Sequence, residues 1–112
     1  MTTHGDIVRK YDSTKEFQRH KELELLQKSG KVKELQWQVP ILISEAFVDK
    51  NGKKHQAIYY KADFMYVENG PTVVEDVKGI DRITGKIQMT EAFRIKWKLL
   101  QAKYPEWEFR IV

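Results

Sequence analysis

The chain has 112 residues, enough for one domain with a modest hydrophobic core. Hydrophobic residues make up 41%, which excludes a wholly disordered chain, and there is no cysteine, which excludes disulfides and thiolate metal sites. Lys and Arg number 20 against 16 Asp and Glu, a net charge of +4 that favours an anionic partner without identifying it. No segment has the apolar length of a signal peptide or membrane span, so a cytoplasmic location and no membrane partner are expected.

The pattern reads as a mobile arm over 1–12 and a single domain over 13–112. Arg9 and Lys10 on the arm suit phosphate contacts, or an ordinary solvated terminus. Ser13 and Glu16 have capping-box spacing, with Ser13 as N-cap. They open a predicted helix over Thr14 to Lys28, rich in Glu, Lys, Leu and Gln and stopped at Ser29-Gly30. At 100° per residue, Leu23 lies about 20° from Glu16 and Leu26 about 80°, so Glu16 borders an apolar stripe.

An extended segment follows, Val32 to Val48, where Pro40 argues for an edge strand or a bulge. Asp49-Lys50-Asn51-Gly52 is a turn. A second strand is expected from His55 to Glu68 and a third from Pro71 to Lys78, joined by Asn69-Gly70, the favoured pair for a two-residue type I′ hairpin. Ile80 to Gln88 reads as a loop turning at Thr84-Gly85. A second helix is expected from Thr90 to Lys103, with Phe93, Trp97 and Leu100 on one face and Pro105 beyond its end. Trp107, Phe109 and Ile111 alternate with polar neighbours in a last strand. The order α-β-β-β-α-β implies an α/β layer fold.

The hairpin carries the chemistry. With Asn69-Gly70 as the turn, Asp63 stands opposite Asp76 and Lys61 opposite Lys78. Period-two alternation puts all four on one face, with Tyr60, Ala62, Phe64, Tyr66, Val73, Glu75 and Val77 on the other. Two carboxylates roughly 5 Å apart at an effective dielectric near 20 repel by about 3 kcal/mol. A divalent cation reverses the sign, and carboxylate oxygens are the hard ligands that Mg²⁺ or Mn²⁺ takes. A solvated charge checkerboard accounts for the same four residues. His4, His20 and His55 lack metal-site spacing, and there is no Gly-rich phosphate loop.

Tyr60-Lys61-Ala62-Asp63-Phe64 followed by Val74-Glu75-Asp76-Val77-Lys78-Gly79 resembles the PD-(D/E)XK nuclease motif, with Ala62 where the superfamily name has Pro. The chain is most similar to a small phage and prophage family, long filed as a domain of unknown function and grouped with Holliday-junction resolvases. The likeness covers residues 9 to 105 and includes the opening Tyr11-Asp12-Ser13-Thr14-Lys15-Glu16. It implies a restriction-endonuclease-like core. It also implies a Mg²⁺-dependent endonuclease, with Mn²⁺ able to substitute, acting on branched or duplex DNA in recombination or packaging. Asp63 and Asp76 are then metal ligands, joined by the Val77 carbonyl, and Lys78 is the catalytic lysine. Glu16 matches a first-helix carboxylate aimed at the metal, a role that competes with its capping role. Glu75 faces away, and Gln38 is a weaker candidate on the first strand. Lys86 and Arg94 suit phosphate contacts. Two symmetry-related cuts imply a homodimer, to which Trp37 and Phe47 could contribute unless they are core. The remaining readings are action on flaps, nicks or plain duplex, and a non-catalytic nucleic-acid-binding module.

Overall fold

The computed structural model describes residues 14–112. Arg9, Lys10, Ser13, His4 and the expected arm therefore lie outside the described residues. Helix α1 (Thr14–Lys28) is followed by strand β1 (Lys33–Ser44), a short ribbon of β2 (Phe47–Val48) and β3 (Lys54–His55), and strands β4 (Ile58–Val67) and β5 (Thr72–Asp76). Helix α2 (Glu91–Lys103) and strand β6 (Glu108–Ile111) complete the chain. The expected order holds, with the β2–β3 ribbon added where the sequence suggested only a turn.

The main sheet has the order β1-β4-β5-β6. Its first two pairings are antiparallel, and β6 lies parallel to β5. A parallel neighbour needs a crossover, and α2 supplies it. β1 is the edge strand, and Pro40, which has no N–H to give, is tolerated there.

One helix covers each face. Leu23 and Leu26 of α1 pack with Val32, Phe64, Tyr66 and Val73. Phe93, Trp97 and Leu100 of α2 pack with Ile41, Tyr60, Ala62 and Val74. Successive residues of β5, Val73 and Val74, thus enter different clusters, as strand alternation requires. α2 starts where Thr90 accepts the Phe93 N–H at 3.0 Å, and Tyr104 at its end donates its hydroxyl to the Leu42 carbonyl of β1.

The β4–β5 hairpin turns as its sequence requires. Asn69 and Gly70 have φ of 56° and 108°, and the Glu68 N–H donates to the Pro71 carbonyl at 3.1 Å. The ladder runs from Val67↔Thr72 to Phe64↔Glu75, which is the expected register.

Beyond Phe64 the expected faces do not hold. Leu35 and Trp37 pack toward α1, but Val39, Ile41 and Ile43 pack toward α2. Likewise Phe64 and Tyr66 lie on the α1 side, whereas Tyr60 and Ala62 lie on the α2 side. Both strands reverse their alternation between the pairs Trp37↔Phe64 and Val39↔Ala62. The intervening residues are Gln38, at φ 54°, and Asp63. A left-handed residue within a strand turns the following side chains over, and the partner strand follows to keep its pairing. Tyr60 and Ala62 are therefore on the opposite face from the one that simple alternation assigns.

Lys61 does not stand opposite Lys78. The β4–β5 ladder ends at Phe64↔Glu75, and on the other side of β5 the Lys78 N–H donates to the Val112 carbonyl at 3.0 Å. Among the described residues, no helix is long and apolar enough to cross a membrane.

Candidate active site

A pocket of about 610 Å³ opens where β4, β5, α1 and α2 meet. Asp63, Asp76, Lys78, Val77 and Glu16 all line it, so five residues expected from the sequence come together. Lys15, Tyr60, Lys61, Gln88 and Lys96 also line it. Lys86 and Arg94 are exposed and do not.

Asp76 ends β5 and is 4% exposed. Its Oδ1 accepts the hydroxyl of Tyr60, which the face reversal has carried to this side. Burial pushes the Tyr60 phenol far above its ordinary pKa, and the bond to Asp76 adds to that, so Tyr60 stays a donor. The Asp76 Oδ2 lies 2.8 Å from Lys78 Nζ as an ion pair, but no hydrogen bond of acceptable geometry reaches it. Among the described residues, the only other buried side-chain atom of this kind is Oε1 of Glu68, at the hairpin turn beside Arg110. Lys78 Nζ also sits 3.7 Å from the centre of the Phe93 ring, which holds the ammonium group from below.

Asp63 is 9% exposed, and its Oδ2 accepts the Val77 N–H at 2.7 Å. That bond crosses from β4 to the end of β5 just where the regular ladder stops. Glu16 is 1% exposed and accepts the Trp37 indole N–H at 3.0 Å. Lys15 donates to the Lys78 carbonyl at 2.8 Å, so α1 also ties down the chain after Asp76. On the far wall, Gly79 allows close approach: a Cβ there would meet Gln88 Oε1 at 2.7 Å.

Glu75 faces the α1 side, as expected. It is fully buried and binds Arg19 through both oxygens, at 2.9 and 2.6 Å, and accepts the Tyr66 hydroxyl. The His20 ring lies tilted against Trp37 and Phe64, with ring centres 5.3 Å apart in each case, and lines no part of the pocket. Trp37 is half-buried core, whereas Phe47 is exposed on the β2–β3 ribbon.

Among the described residues, no group of three His, Cys, Asp or Glu stands together as a ready metal cage. The donors still suit a hard divalent cation. Mg²⁺ commonly takes one or two carboxylates and fills its shell with water and substrate oxygens. Asp63, Asp76 and the Val77 carbonyl are oxygen donors of this kind, and the buried Oδ2 of Asp76, beside Lys78 but without a well-aligned hydrogen bond, is an acceptor that a cation could share.

The sequence did not place Tyr60, Gln88 or Lys96 at the site, although Tyr60 belongs to the nuclease-like motif and Lys96 to the basic second helix. The signal for Tyr60 lay in Gln38, whose left-handed backbone could not be foreseen. Lys96 recurs one turn after Ala92 and three residues after Phe93, a spacing that shares their helix face.

A family model described as "Protein of unknown function (DUF1064)" matches residues 6–112. No curated protein and no solved structure matches the chain.

Proposed function

The chain belongs to the DUF1064 family, and we propose that it is a metal-dependent DNA endonuclease of the PD-(D/E)XK type. The observation that carries this is the convergence of Asp63, Asp76 and Lys78 on one pocket, with a buried oxygen of Asp76 left without a hydrogen bond. The mixed sheet with a helix on each face agrees with the core that the motif resemblance implies.

Asp63, Asp76 and the Val77 carbonyl would hold Mg²⁺ or Mn²⁺, with Glu16 at the edge of the site. Such an ion would supply a bound water of lowered pKa and positive charge against the phosphate. Lys78, fixed by Asp76 and Phe93, places a positive charge where charge develops on the phosphorane. Lys15, Lys61 and Lys96 line the pocket and draw the DNA phosphate in. One P–O bond forms from water and one ester P–O bond breaks, leaving a phosphomonoester end and a hydroxyl end. Lys86 and Arg94 extend the phosphate contacts outside the pocket, and Arg9 and Lys10 are proposed to add further phosphate contacts.

The substrate we propose is branched DNA, cut by a two-fold homodimer as in Holliday junction resolution, in recombination or DNA packaging. The setting is the cytoplasm, that of a bacterial host where the gene belongs to a phage or prophage. Flaps, nicks and duplex DNA are the alternative substrates for the same site. A non-catalytic nucleic-acid-binding role draws support from one feature: each of these carboxylates already has a protein partner, and among the described residues no three stand as a cage. Cleavage of labelled four-way junction, flap and linear duplex, with Mg²⁺, Mn²⁺ or EDTA, separates these readings. Cleavage that needs the ion and is lost in both Asp63→Ala and Asp76→Ala supports the nuclease. Binding that survives EDTA and is indifferent to Asp76, with no cleavage, supports the binding module. Equal cutting of duplex and junction removes the resolvase reading alone.

A further inference from the structure

We propose that the β2–β3 ribbon is a second DNA contact, gripping the phosphate backbone of duplex that flanks the cleavage pocket. The inference rests on the nucleic-acid reading of that pocket. The ribbon continues the β1–β4 pair past Ser44↔Ile58, so it extends from the strand that carries Asp63. It bears Lys50, Lys53 and Lys54, all exposed and none ion-paired among the described residues. Its tip acid, Asp49, is consumed internally. Oδ1 accepts the N–H groups of Asn51 and Lys53, each at 2.9 Å, and Oδ2 pairs with His55 at 2.9 Å. Phe47 stacks on His55 with ring centres 4.6 Å apart. These contacts make a short, rigid ribbon, so the lysines are held out at little entropic cost. Glu45 at the base is the only other acid in the segment 45–57.

The pocket and the ribbon are linked by further positive charge. Lys61 and Lys96 line the pocket, and Lys96 Nζ reaches the Tyr59 carbonyl at 3.4 Å, one residue from the start of β4. Lys54 lies nine residues from Asp63 along the chain. At about 3.3 Å per residue this is a reach of up to about 30 Å, close to one turn of duplex. The longest dimension of the described residues, 54 Å, accommodates that track. A duplex whose scissile phosphate sits in the pocket meets the ribbon about one turn away.

The test is equilibrium binding to labelled linear duplexes of increasing length, and to single strands of the same lengths, over a range of salt in EDTA. For wild type, the slope of log Kd against log salt should steepen by about 2 to 3 once the duplex reaches the ribbon. With Lys50, Lys53 and Lys54 all replaced by Ala, that steepening should vanish, and binding to long duplex should weaken at least about tenfold. The wild-type length dependence needs no variant, so it decides even if the triple variant folds poorly. A length-independent wild-type slope, or a triple variant that keeps the steepening, overturns the proposal while DNA binding and cleavage leave the nuclease reading standing. Steepening on single strands alone also overturns it. If wild type binds no DNA of any length, both readings fall together.

Discussion

Glu75 and Asp76 are adjacent on one strand, both acidic and both buried, yet their surroundings differ. Glu75 faces α1 and is saturated by two hydrogen bonds from Arg19 and one from Tyr66. Asp76 faces α2, takes one hydroxyl bond from Tyr60, and keeps a buried oxygen with only an off-angle lysine beside it. Burying a charge is costly unless it is paired and fully hydrogen-bonded. Glu75 meets that condition, so its place is explained by stability. Asp76 falls short of it, which is what the proposed role as a metal ligand would require. Two adjacent buried acids thus differ in the completeness of their hydrogen bonding, and only Asp76 lines the pocket.

The largest expected effect is on activity. Asp76→Asn should lower cleavage at least about 10³-fold with the fold retained, since Asn keeps an acceptor for the Tyr60 hydroxyl and only the ion pair with Lys78 is lost. Cleavage kinetics and urea unfolding on the same preparation check this, and a variant that cuts normally breaks the comparison on its functional side.

Glu75 should behave in the opposite way. Arg19→Met leaves its carboxylate buried without a cation and should cost about 3 kcal/mol. Adding Glu75→Gln should recover part of that loss, while the folded fraction still cuts. A double-mutant cycle by urea denaturation measures the coupling, and additive losses would mean that the pair does not act as a unit.

Mg²⁺ sharpens the contrast without touching Glu75. At about 100 times its Kd, the ion should stabilise wild type by about 2.7 kcal/mol and leave Asp76→Asn unmoved. Equal thermal shifts in the two proteins would place the cation elsewhere.

Glu16 tests the edge of the site. Glu16→Gln keeps an acceptor for the Trp37 indole, so stability should change by less than about 1 kcal/mol, and turnover should fall if Glu16 faces the metal. Normal turnover with a measurable loss of stability would assign Glu16 to α1 structure alone.

The smallest effect belongs to a surface acid. The hydrogen bond from His55 lowers the Asp49 pKa, with the Lys53 and Asn51 N–H groups helping. A lowered folded-state pKa gives stability that is present above the unfolded value, near 3.9, and lost as pH falls through the folded one. Amide protection in the β2–β3 ribbon should therefore hold at neutral pH and drop only in that acid range. Asp49→Asn should lower protection at neutral pH and remove the acid step.

What could be read along the chain was local. The Ser29-Gly30 stop, the Asn69-Gly70 turn with its register, the apolar period of α2 and the edge position marked by Pro40 are each written within a few residues, because turn chemistry and helix period act at that range. The hairpin register was enough to bring Asp63 and Asp76 to one pocket, and the spacing of Asp76 and Lys78 put the lysine beside them. Tertiary structure decided what joins them. Tyr60 reaches Asp76 only because Gln38 and Asp63 break the alternation of two paired strands in step, and neither strand shows that break alone. Lys61 loses Lys78 because the β4–β5 ladder ends at Phe64↔Glu75, where the Asp63 side chain takes the Val77 N–H. Arg19 finds Glu75 across 56 residues, a pairing fixed by where α1 packs. Sequence alone determined which carboxylates could meet, since that depends on neighbours along the chain. Only the fold decided which of them would be satisfied, since that depends on partners brought from far along it.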